Sequence, residues 1–273
     1  MSFESDHRTP ARVRTATLRA FKQQNRPITM LTCYDALSAR IFDAAGIDAL
    51  LVGDSLANVV LGYETTLSAT HEQMQLFAAA VARSVTRPLV IADFAFGTYE
   101  VNPAQAVEHG VDLMRAGAHA VKLEGGQALA STIQALTAAG IPVCGHVGFT
   151  PQAVHQLGGH RVQGRGDAAA EQLVADARAL QDAGVFALVL EMVPAELAAR
   201  ITRELEIPTI GIGAGVDCDG QVLVWQDMAG LSDFSGKFVK RFGALGEELA
   251  RAAGAYRDEV RARTFPDADR SFS

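Results

Sequence analysis

The chain repeats one pattern of hydrophobic and polar positions along most of its length. A helical segment ends in Ala-Gly, and a short apolar run then ends in a polar or acidic residue. The pattern occurs in DAAGIDALLVGDS, MRAGAHAVKLEGG, TAAGIPVCGHVG and LQDAGVFALVLEMVP. Glycine just past a helix takes left-handed dihedral angles without a Cβ clash. The apolar runs lack strict alternation, which is typical of parallel strands that are covered on both faces.

Eight such apolar runs follow one another along the chain. They cover residues 28–35, 49–55, 89–94, 120–125, 142–148, 187–192, 208–213 and 221–226. Most intervals have room for a helix, for example at residues 38–45, 72–84, 103–116, 128–139, 168–183 and 194–204. Strands that alternate with helices form right-handed βαβ units and a parallel sheet. Eight of them predict a TIM (β/α)8 barrel, with one assignment left open at the short interval before the last run.

Two further helices are expected to flank the barrel, one at residues 11–24 and one at residues 246–263. We therefore predict a single domain over residues 1–273. Within it the barrel spans about residues 28–230, and a C-terminal helical extension spans about residues 234–265. An open doubly wound sheet is the main alternative, but no G-x-G-x-x-G turn follows the first predicted strand.

Composition and charge narrow the class of protein. Of the 273 residues, 49% are hydrophobic and 20% are charged, which is enough for a buried core and shows no bias toward disorder. The formal charge of −7 and the lack of a basic stripe argue against nucleic-acid binding. No apolar run approaches the length of a membrane span. Because the three cysteines form no C-x-x-C pair and residues 1–14 lack a signal-peptide core, we expect a cytoplasmic protein.

Ionisable residues recur where the predicted strands end. In chain order they are Asp35, Asp54, Asp93, Glu124, His146 and Glu191. The carboxyl ends of barrel strands form the active-site face. A single strand-end acid is weak evidence, since it often caps the next helix or meets solvent, but recurrence in six units indicates a site. The glycine-rich stretch at residues 149–168 is also expected to be functional or mobile, because long loops are uncommon in compact domains.

Strand parity adds a lysine to this set. Residues i and i+2 of a strand point the same way, so Lys122 and Glu124 share one face. If Glu124 faces the barrel mouth, Lys122 lies one layer below it and needs an acidic partner or a bound anion. A structural ion pair with a neighbouring strand acid is one interpretation. Recognition of a substrate carboxylate or oxyanion is the other.

Three of the acids lie on consecutive predicted strands: Asp54, Asp93 and Glu124. Three carboxylates on adjacent strands repel one another unless a cation or added protons intervene. Oxygen ligands favour hard cations, and magnesium typically combines one or two carboxylates with water. We therefore predict a Mg²⁺ site whose coordination is completed by substrate oxygens. The alternative is that Lys122 neutralises the cluster without a metal.

Glu191 is predicted to lie across the barrel mouth from the second and third strands. A carboxylate there is suited to act as a general base toward a bound substrate if partial burial raises its pKa toward neutrality. A structural acid is the alternative interpretation. His146 is a possible supporting residue, either as a proton carrier or as a hydrogen-bonded core histidine.

Several segments together resemble one known enzyme family. They are LLVGDSLANVVLGYETT, IADFAFGTYE, VKLEGG, PVCGHVGFTPQAVHQLGG, VQGRG, LVLEMVP, IGIGAG and FVKRF, in order from about residue 28 to residue 242. The chain is similar to the ketopantoate (3-methyl-2-oxobutanoate) hydroxymethyltransferases. This resemblance implies a cytoplasmic TIM-barrel enzyme, usually a homodecamer built as a pentamer of dimers, with one Mg²⁺ per subunit.

The resemblance also implies a reaction and roles for residues. The one-carbon donor would be 5,10-methylenetetrahydrofolate, and the product would be 2-dehydropantoate for pantothenate and coenzyme A, formed through a metal-stabilised enolate. By the family's motifs, the metal ligands fall on Asp54, Asp93 and Glu124. Substrate contacts fall on Asp54, Ser55, Asp93 and Lys122, and the base falls on Glu191.

Two alternatives remain at this point. The first is a magnesium barrel enzyme of the phosphoenolpyruvate mutase and isocitrate lyase type acting on another 2-oxo acid, although the K-K-C-G-H-type loop of those enzymes is absent. The second is a non-catalytic paralogue. The second alternative is motivated by three positions at which the family usually has proline and this chain does not: Ser68, Ala95 and Gly236.

Overall fold

The computed structural model describes residues 11–272, and its centre is a closed barrel of eight parallel strands. Each strand pairs with the next, and β8 pairs with β1. The strands are β1 (Ile28–Thr32), β2 (Ala49–Val52), β3 (Leu89–Asp93), β4 (Ala120–Lys122), β5 (Val143–Gly148), β6 (Ala187–Glu191), β7 (Thr209–Ile212) and β8 (Gly220–Leu223). All eight predicted strands are present, so the predicted TIM barrel is confirmed. The prediction that the chain lacks a signal peptide rests largely on residues 1–10, which lie outside the described part.

Helices follow most strands, as the pattern predicts. They are α1 (Thr15–Gln23), α2 (Ala36–Ala44), α3 (Leu56–Val59), α4 (His71–Ala82), α5 (Pro103–Arg115), α6 (Ala130–Ala138), α7 (Asp167–Ala183), α8 (Ala195–Glu204), α9 (Trp225–Met228) and α10 (Leu245–Ala262). The four-residue helices α3 and α9 are not among the predicted elements. Residues 213–219, all of which are described, join β7 to β8 without a helix, which explains why the last interval is so short.

Local sequence signals account for where the helices begin and end. Thr70 caps α4: its side chain accepts a hydrogen bond from the Gln73 backbone N–H, and the Gln73 side chain accepts one from the Thr70 N–H. This reciprocal capping satisfies two backbone donors at the helix start. At the C-terminal end of α7, Gly184 adopts φ 103°, the left-handed conformation that ends a helix.

The barrel interior is filled by every second residue of the strands. Its apolar members include Met30, Leu51, Leu89, Ile91, Ala120, Cys144, Val189, Ile210 and Val222. Helix α1, which precedes the first strand, adds Leu18 and Phe21 to the same cluster. The next inward positions after Ile91, Ala120 and Val189 are Asp93, Lys122 and Glu191. The packing period that fills the core therefore also brings ionisable side chains to the carboxyl end of the barrel.

The opposite, amino-terminal end of the barrel carries a separate polar cluster around Asp48. This buried carboxylate accepts hydrogen bonds from the backbone and side chain of Thr29, at 3.1 and 2.9 Å. It also pairs with the guanidinium groups of Arg87 at 2.6 Å and Arg26 at 3.2 Å. Because the residue just before β2 is thus tied to the start of β1, the cluster joins two strands where the barrel begins.

The chain divides into two compact units, Met1–Leu223 and Val224–Ser273. The first unit contains the barrel and α1 to α8, and the second contains α9 and α10. The single-domain organisation expected from the sequence stays a prediction. Within residues 11–272, none of the helices has the length and apolar character needed to cross a membrane.

Replacement of Asp48 by alanine should destabilise the fold by about 3 kcal/mol, because it leaves the largely buried Arg87 guanidinium without its counter-charge. Urea unfolding followed by circular dichroism measures this loss. Asp182→Ala, which removes an exposed carboxylate of α7, is the matched control and should change the unfolding free energy by less than about 0.5 kcal/mol. Equal stability of the two variants would show that the Asp48 cluster does not hold the barrel.

Candidate active site

A buried lysine lies at the centre of the polar cluster at the barrel mouth. Lys122 stands opposite Asp93 in the register of β3 and β4. Its Nζ lies 3.1 Å from Asp93 Oδ1 and 3.5 Å from Glu124 Oε1. Burial opposes the charge of Lys122, but Asp93, Glu124 and Asp54 outweigh it and hold the lysine pKa above its ordinary value. Lys122 is therefore a fixed positive charge.

Glu124 is ionised at any physiological pH. Burial opposes its ionisation, but Lys122 and His146 lower its pKa to about 2. The backbone N–H of Gln152 donates to its second oxygen, Oε2, at 3.0 Å. Asp93 behaves differently although it also faces Lys122: burial and the Glu124 charge raise its pKa. Lys122, His146 and the Gln152 N–H together outweigh the burial of Glu124, whereas Lys122 and the Asp54 N–H do not outweigh the burial of Asp93.

Asp54 reaches the cluster from the turn after β2 rather than from the strand itself. Its backbone N–H donates to Asp93 Oδ2 at 3.0 Å. The preceding Gly53 makes this approach possible, because a Cβ there would lie 2.9 Å from Ser55 Oγ and 3.5 Å from Asp93 Oδ2. Burial and repulsion from Glu124 and Asp93 raise the pKa of Asp54 to about 7. Asp54 is therefore the carboxyl group of the cluster that most lacks a counter-charge.

His146 links the two sides of the barrel mouth. Its Nδ1 lies 3.3 Å from Glu124 Oε1, and its Nε2 lies 3.4 Å from Glu191 Oε2. Burial and the nearby Lys122 oppose protonation, but the two carboxylates raise the pKa of His146 to about 9. The ring therefore carries a positive charge at neutral pH and bridges two glutamates. This is a more central position than the supporting one that the sequence indicates.

Glu191 ends β6 at the edge of the cluster, where its side chain is 15% exposed. The next residue, Met192, takes a positive φ of 49°, so the chain turns sharply just after Glu191. Gly148 packs against this turn, since a Cβ there would lie 2.2 Å from the Glu191 carbonyl oxygen. The Glu191 carbonyl also accepts a hydrogen bond from the Phe149 N–H at 2.8 Å. The backbone of Glu191 is thus held firmly while its carboxylate stays accessible.

The two remaining predicted residues have different surroundings. The Ser55 hydroxyl is hydrogen-bonded to the buried Tyr34 hydroxyl at 2.7 Å, beside Asp54. Asp35 caps α2 instead: its side chain accepts hydrogen bonds from the backbone N–H groups of Leu37 and Ser38. The structure thus brings Asp54, Asp93, Lys122, Glu124, His146 and Glu191 into one cluster, places Ser55 beside it, and gives Asp35 a capping role.

Two residues of the cluster, Gln152 and Tyr99, are not indicated by the sequence. The Gln152 amide donates to Asp54 Oδ2 and to the Phe94 carbonyl, both at 2.9 Å. The Tyr99 hydroxyl donates to the Gln152 Oε1 at 2.7 Å. The available signals were the unusual length of the glycine-rich stretch, which begins three residues before Gln152, and the family segments IADFAFGTYE and PVCGHVGFTPQAVHQLGG, which contain Tyr99 and Gln152.

The cluster has more negative than positive groups. Its carboxyl groups are Asp54, Asp93, Glu124 and Glu191, and its cationic groups are Lys122 and His146. Within the described range, no three histidine, cysteine or carboxylate side chains are already arranged around a metal position. The unbalanced charge and the raised pKa of Asp54 nevertheless fit a hard divalent cation bound by one or two carboxylates together with water and substrate oxygens.

A cavity of about 270 Å³ lies beside the cluster. Gly125, which follows Glu124, and Gly148, which packs on Glu191, form part of its wall. Thr150, Leu157 and Asp176 also line it. Its remaining wall includes Gln172 and Leu173 of α7, and none of the ionisable side chains of the cluster lines it.

A closed β/α barrel with buried ionisable groups at the carboxyl ends of its strands defines the class of barrel enzymes. The comparison with known families narrows this class. A sequence model of the ketopantoate hydroxymethyltransferases matches residues 12–268. The chain belongs to this family, and the prediction that it is a hydroxymethyltransferase is confirmed.

Full-length relatives carry the same name. The chain is 59% identical over 269 residues to the 3-methyl-2-oxobutanoate hydroxymethyltransferase of Rhodococcus jostii (strain RHA1), which covers 97% of this chain and 93% of the relative. It is 55% identical over 263 residues to that of Thermobifida fusca (strain YX), with 96% and 94% covered.

Solved structures with the same fold are more distant in sequence. A 2,3-dimethylmalate lyase of the PEP mutase/isocitrate lyase superfamily superposes with a TM-score of 0.60 at 21% identity, covering 95% of this chain and 91% of that one. A phosphonopyruvate hydrolase complex with oxalate and Mg²⁺ gives a TM-score of 0.59 at 16% identity, with 94% and 92% covered. At these identities the similarity concerns the fold alone.

The raised pKa of Asp54 predicts a pH-dependent cost of folding in the metal-free protein. Between pH 4 and pH 7 the folded state binds more protons at Asp54 than the unfolded chain does, so the unfolding free energy falls as pH rises through this window. Asp54→Asn removes the titrating group, so the unfolding free energy of the variant should not fall in this way as pH rises. In EDTA the variant should become more stable than the wild type by roughly 2–4 kcal/mol at pH 8, with a smaller difference at pH 4.5.

Chemical denaturation of both proteins at the two pH values measures this difference. Asp182→Asn, which changes an exposed carboxyl group, is the control and should follow the wild type at both values. A difference between Asp54→Asn and wild type that does not grow with pH would show that Asp54 is already fully compensated in the metal-free protein.

Proposed function

We propose that the chain transfers a hydroxymethyl group from 5,10-methylenetetrahydrofolate to 3-methyl-2-oxobutanoate and so forms 2-dehydropantoate for pantothenate and coenzyme A. The observation that carries this proposal is the position of Glu191, which is held at one side of the barrel mouth and linked through His146 to the acids around Lys122. The family and the named relatives support the reaction. The predicted roles of the individual residues belong to this proposal.

The cluster fits one Mg²⁺ per subunit. Asp54 and Asp93 are the carboxyl groups with raised pKa, so they gain most from a bound cation, and Glu124 completes the predicted ligand set. Such an ion would supply Lewis acidity to a chelating 2-oxo acid. Lys122 already occupies the space between Asp93 and Glu124, which limits how many carboxylates turn toward the ion at once.

Lys122 binds the negative charge of the substrate. Its ammonium group is desolvated and fixed, and such a group stabilises an oxyanion more strongly than a solvated lysine does. Asp54, Ser55 and Asp93 contact the same substrate at the mouth. Since Tyr34 is hydrogen-bonded to the Ser55 hydroxyl, that hydroxyl is oriented before substrate arrives.

Glu191 acts as the general base. It accepts the C3 proton of 3-methyl-2-oxobutanoate, and the electron pair left on the substrate forms the enolate whose oxygen faces Lys122. The C3 carbon then forms a bond to the one-carbon unit of the folate. Both bonds from that carbon to the folate nitrogens break, and water supplies the hydroxyl oxygen. The proton taken from C3 and one proton of the water end on the two nitrogens of the departing tetrahydrofolate. His146, whose pKa Glu124 and Glu191 raise to about 9, places a positive charge beside Glu191 before the transfer.

The assembly and location expected for this family remain predictions. We propose a homodecamer, built as a pentamer of dimers, that works in the cytoplasm on small-molecule substrates. No nucleic acid or membrane partner is expected, in line with the acidic composition.

Enolisation of another 2-oxo acid is the second candidate function. The acids around Lys122, with Glu191 on the other side of the mouth, would suit that chemistry as well. The family match over residues 12–268 favours the hydroxymethyl transfer. The intact set of ionisable residues at the mouth argues against a non-catalytic paralogue.

Exchange of the substrate C3 proton tests the proposal. In deuterated water with Mg²⁺ and 3-methyl-2-oxobutanoate but no folate, the wild type should exchange this proton, and EDTA should stop the exchange. Glu191→Gln should lower the rate by about 10²-fold or more, because a neutral amide cannot accept the proton. Proton NMR follows the loss of the C3 signal.

Glu196→Gln, which alters an exposed glutamate of α8, is the matched control and should exchange at the wild-type rate. Absence of exchange in the wild type would overturn the enolisation step. Exchange without product when 5,10-methylenetetrahydrofolate is added would instead favour the second candidate function.

A further inference from the structure

Gln152 makes more contacts with the cluster than any role in the proposed reaction explains. It lies in the short 3-10 helix Pro151–Ala153 and is buried, with 7% of its surface exposed. Its side-chain amide donates one hydrogen bond to Asp54 and one to the Phe94 carbonyl, while its backbone N–H donates to Glu124. One residue thus contacts the ends of three successive barrel segments, those that follow β2, β3 and β4.

The orientation of the Gln152 amide is determined by its partners. A carbonyl oxygen only accepts hydrogen bonds, so the NH₂ group must face Phe94, and the amide oxygen then faces the Tyr99 hydroxyl. All donors and the acceptor of this buried amide are therefore used. The Tyr99 oxygen in turn accepts a contact from the Glu124 N–H at 3.4 Å, which closes a ring of bonds around the Glu124 backbone.

These bonds act on two carboxylates of the cluster: Asp54, and Glu124, whose other oxygen lies 3.5 Å from Lys122 Nζ. The Gln152 side chain lowers the cost of ionising Asp54, and its backbone N–H holds the Glu124 oxygen that points away from Lys122. Both effects prepare negative oxygens in fixed positions before any ligand binds. Neutral donors can do this without adding a positive charge that would compete with a cation.

We propose that Gln152, oriented by Tyr99, is a positioning residue that sets Asp54 and Glu124 for binding of the divalent cation and the 2-oxo acid. This inference rests on the proposed function, because it assigns Gln152 an effect on the cation and substrate of that reaction. Gln152 does not touch the reacting carbon and acts through the two carboxylates.

The loop that carries Gln152 also contacts the base. Phe149 donates its N–H to the Glu191 carbonyl at 2.8 Å, and Gln163 donates its N–H to the Met192 carbonyl at 3.0 Å. The segment between them therefore spans the mouth from Glu191 to Asp54. The loop therefore contacts both sides of the site. Gln152 makes its contacts with Asp54 and Glu124, and Phe149 makes its contact with Glu191.

The test uses Gln152→Met, which keeps the length of the side chain and removes its hydrogen bonds. Isothermal titration with MgCl₂ should show a dissociation constant raised by about 10- to 100-fold, as is usual when a partner of a metal-binding carboxylate is lost. KM for 3-methyl-2-oxobutanoate should rise in parallel, with a smaller change in kcat. Tyr99→Phe should shift both quantities in the same direction by less, and should add little in the Gln152→Met background.

Gln156→Met, at an exposed position of the same loop, is the matched control and should bind Mg²⁺ as the wild type does. A purely structural role for Gln152 would lower the melting temperature but leave the Mg²⁺ affinity and KM of the folded protein unchanged, and that result would overturn the proposal. Titration does not require turnover. A wild type that binds Mg²⁺ but forms no product would therefore count against the proposed function, while the comparison of affinities would still decide the role of Gln152.

Discussion

The site depends on one buried positive charge, that of Lys122. A lysine with 4% of its surface exposed is stable inside a barrel only if carboxylates surround it. Asp93 contacts Lys122 from the neighbouring strand β3, and Glu124 contacts it from two residues further along the same segment. Those carboxylates in turn require the lysine. The carboxylates keep Lys122 charged, and Lys122 in turn favours the charged form of each of them. The strand register places Asp93 and Lys122 together before any ligand arrives.

Buried charges are balanced at the amino-terminal end of the barrel and unbalanced at the carboxyl end. At the amino-terminal end, Asp48 is matched by two arginines and a threonine, so its charge serves the fold. At the carboxyl end, Lys122 and His146 face four carboxyl groups. Burial, with repulsion from Glu124 and Asp93, raises the pKa of Asp54 there to about 7. This imbalance lowers stability but creates a place for a cation and a substrate, which is the usual relation between active sites and stability.

Strand periodicity was enough to predict the fold and the central part of the site. Four Ala-Gly repeats and four further apolar runs predict eight strands, and the i, i+2 relation places Lys122 below Glu124 at the mouth. The alternative of a structural ion pair for Lys122 and its proposed role toward substrate are compatible, because the pair with Asp93 is what keeps the lysine charged. Family motifs added the substrate contact of Ser55 and agreed with the role of base that the strand-end position had already indicated for Glu191.

Other parts of the site depend on contacts between residues distant in the sequence. Gln152 meets Asp54 across 98 positions, and Tyr99 meets Gln152 across 53. No local pattern marks either residue, because loops carry no periodicity that shows which way a side chain points. Asp35 shows that the strand-end pattern also selects residues outside the cluster. A single acid before a helix is as well suited to capping as to catalysis, and Asp35 caps α2.

The central claim is that the carboxylates around Lys122 bind a cation and an oxo acid together. Anomalous scattering from crystals grown with Mn²⁺ and 3-methyl-2-oxobutanoate tests it most directly, because manganese gives a peak that water does not. We expect one peak per subunit within bonding distance of Asp54 and Asp93, with a substrate oxygen near Lys122 Nζ and C3 facing Glu191. A mouth that holds the oxo acid without a metal peak, or a peak away from Asp54 and Asp93, would contradict it.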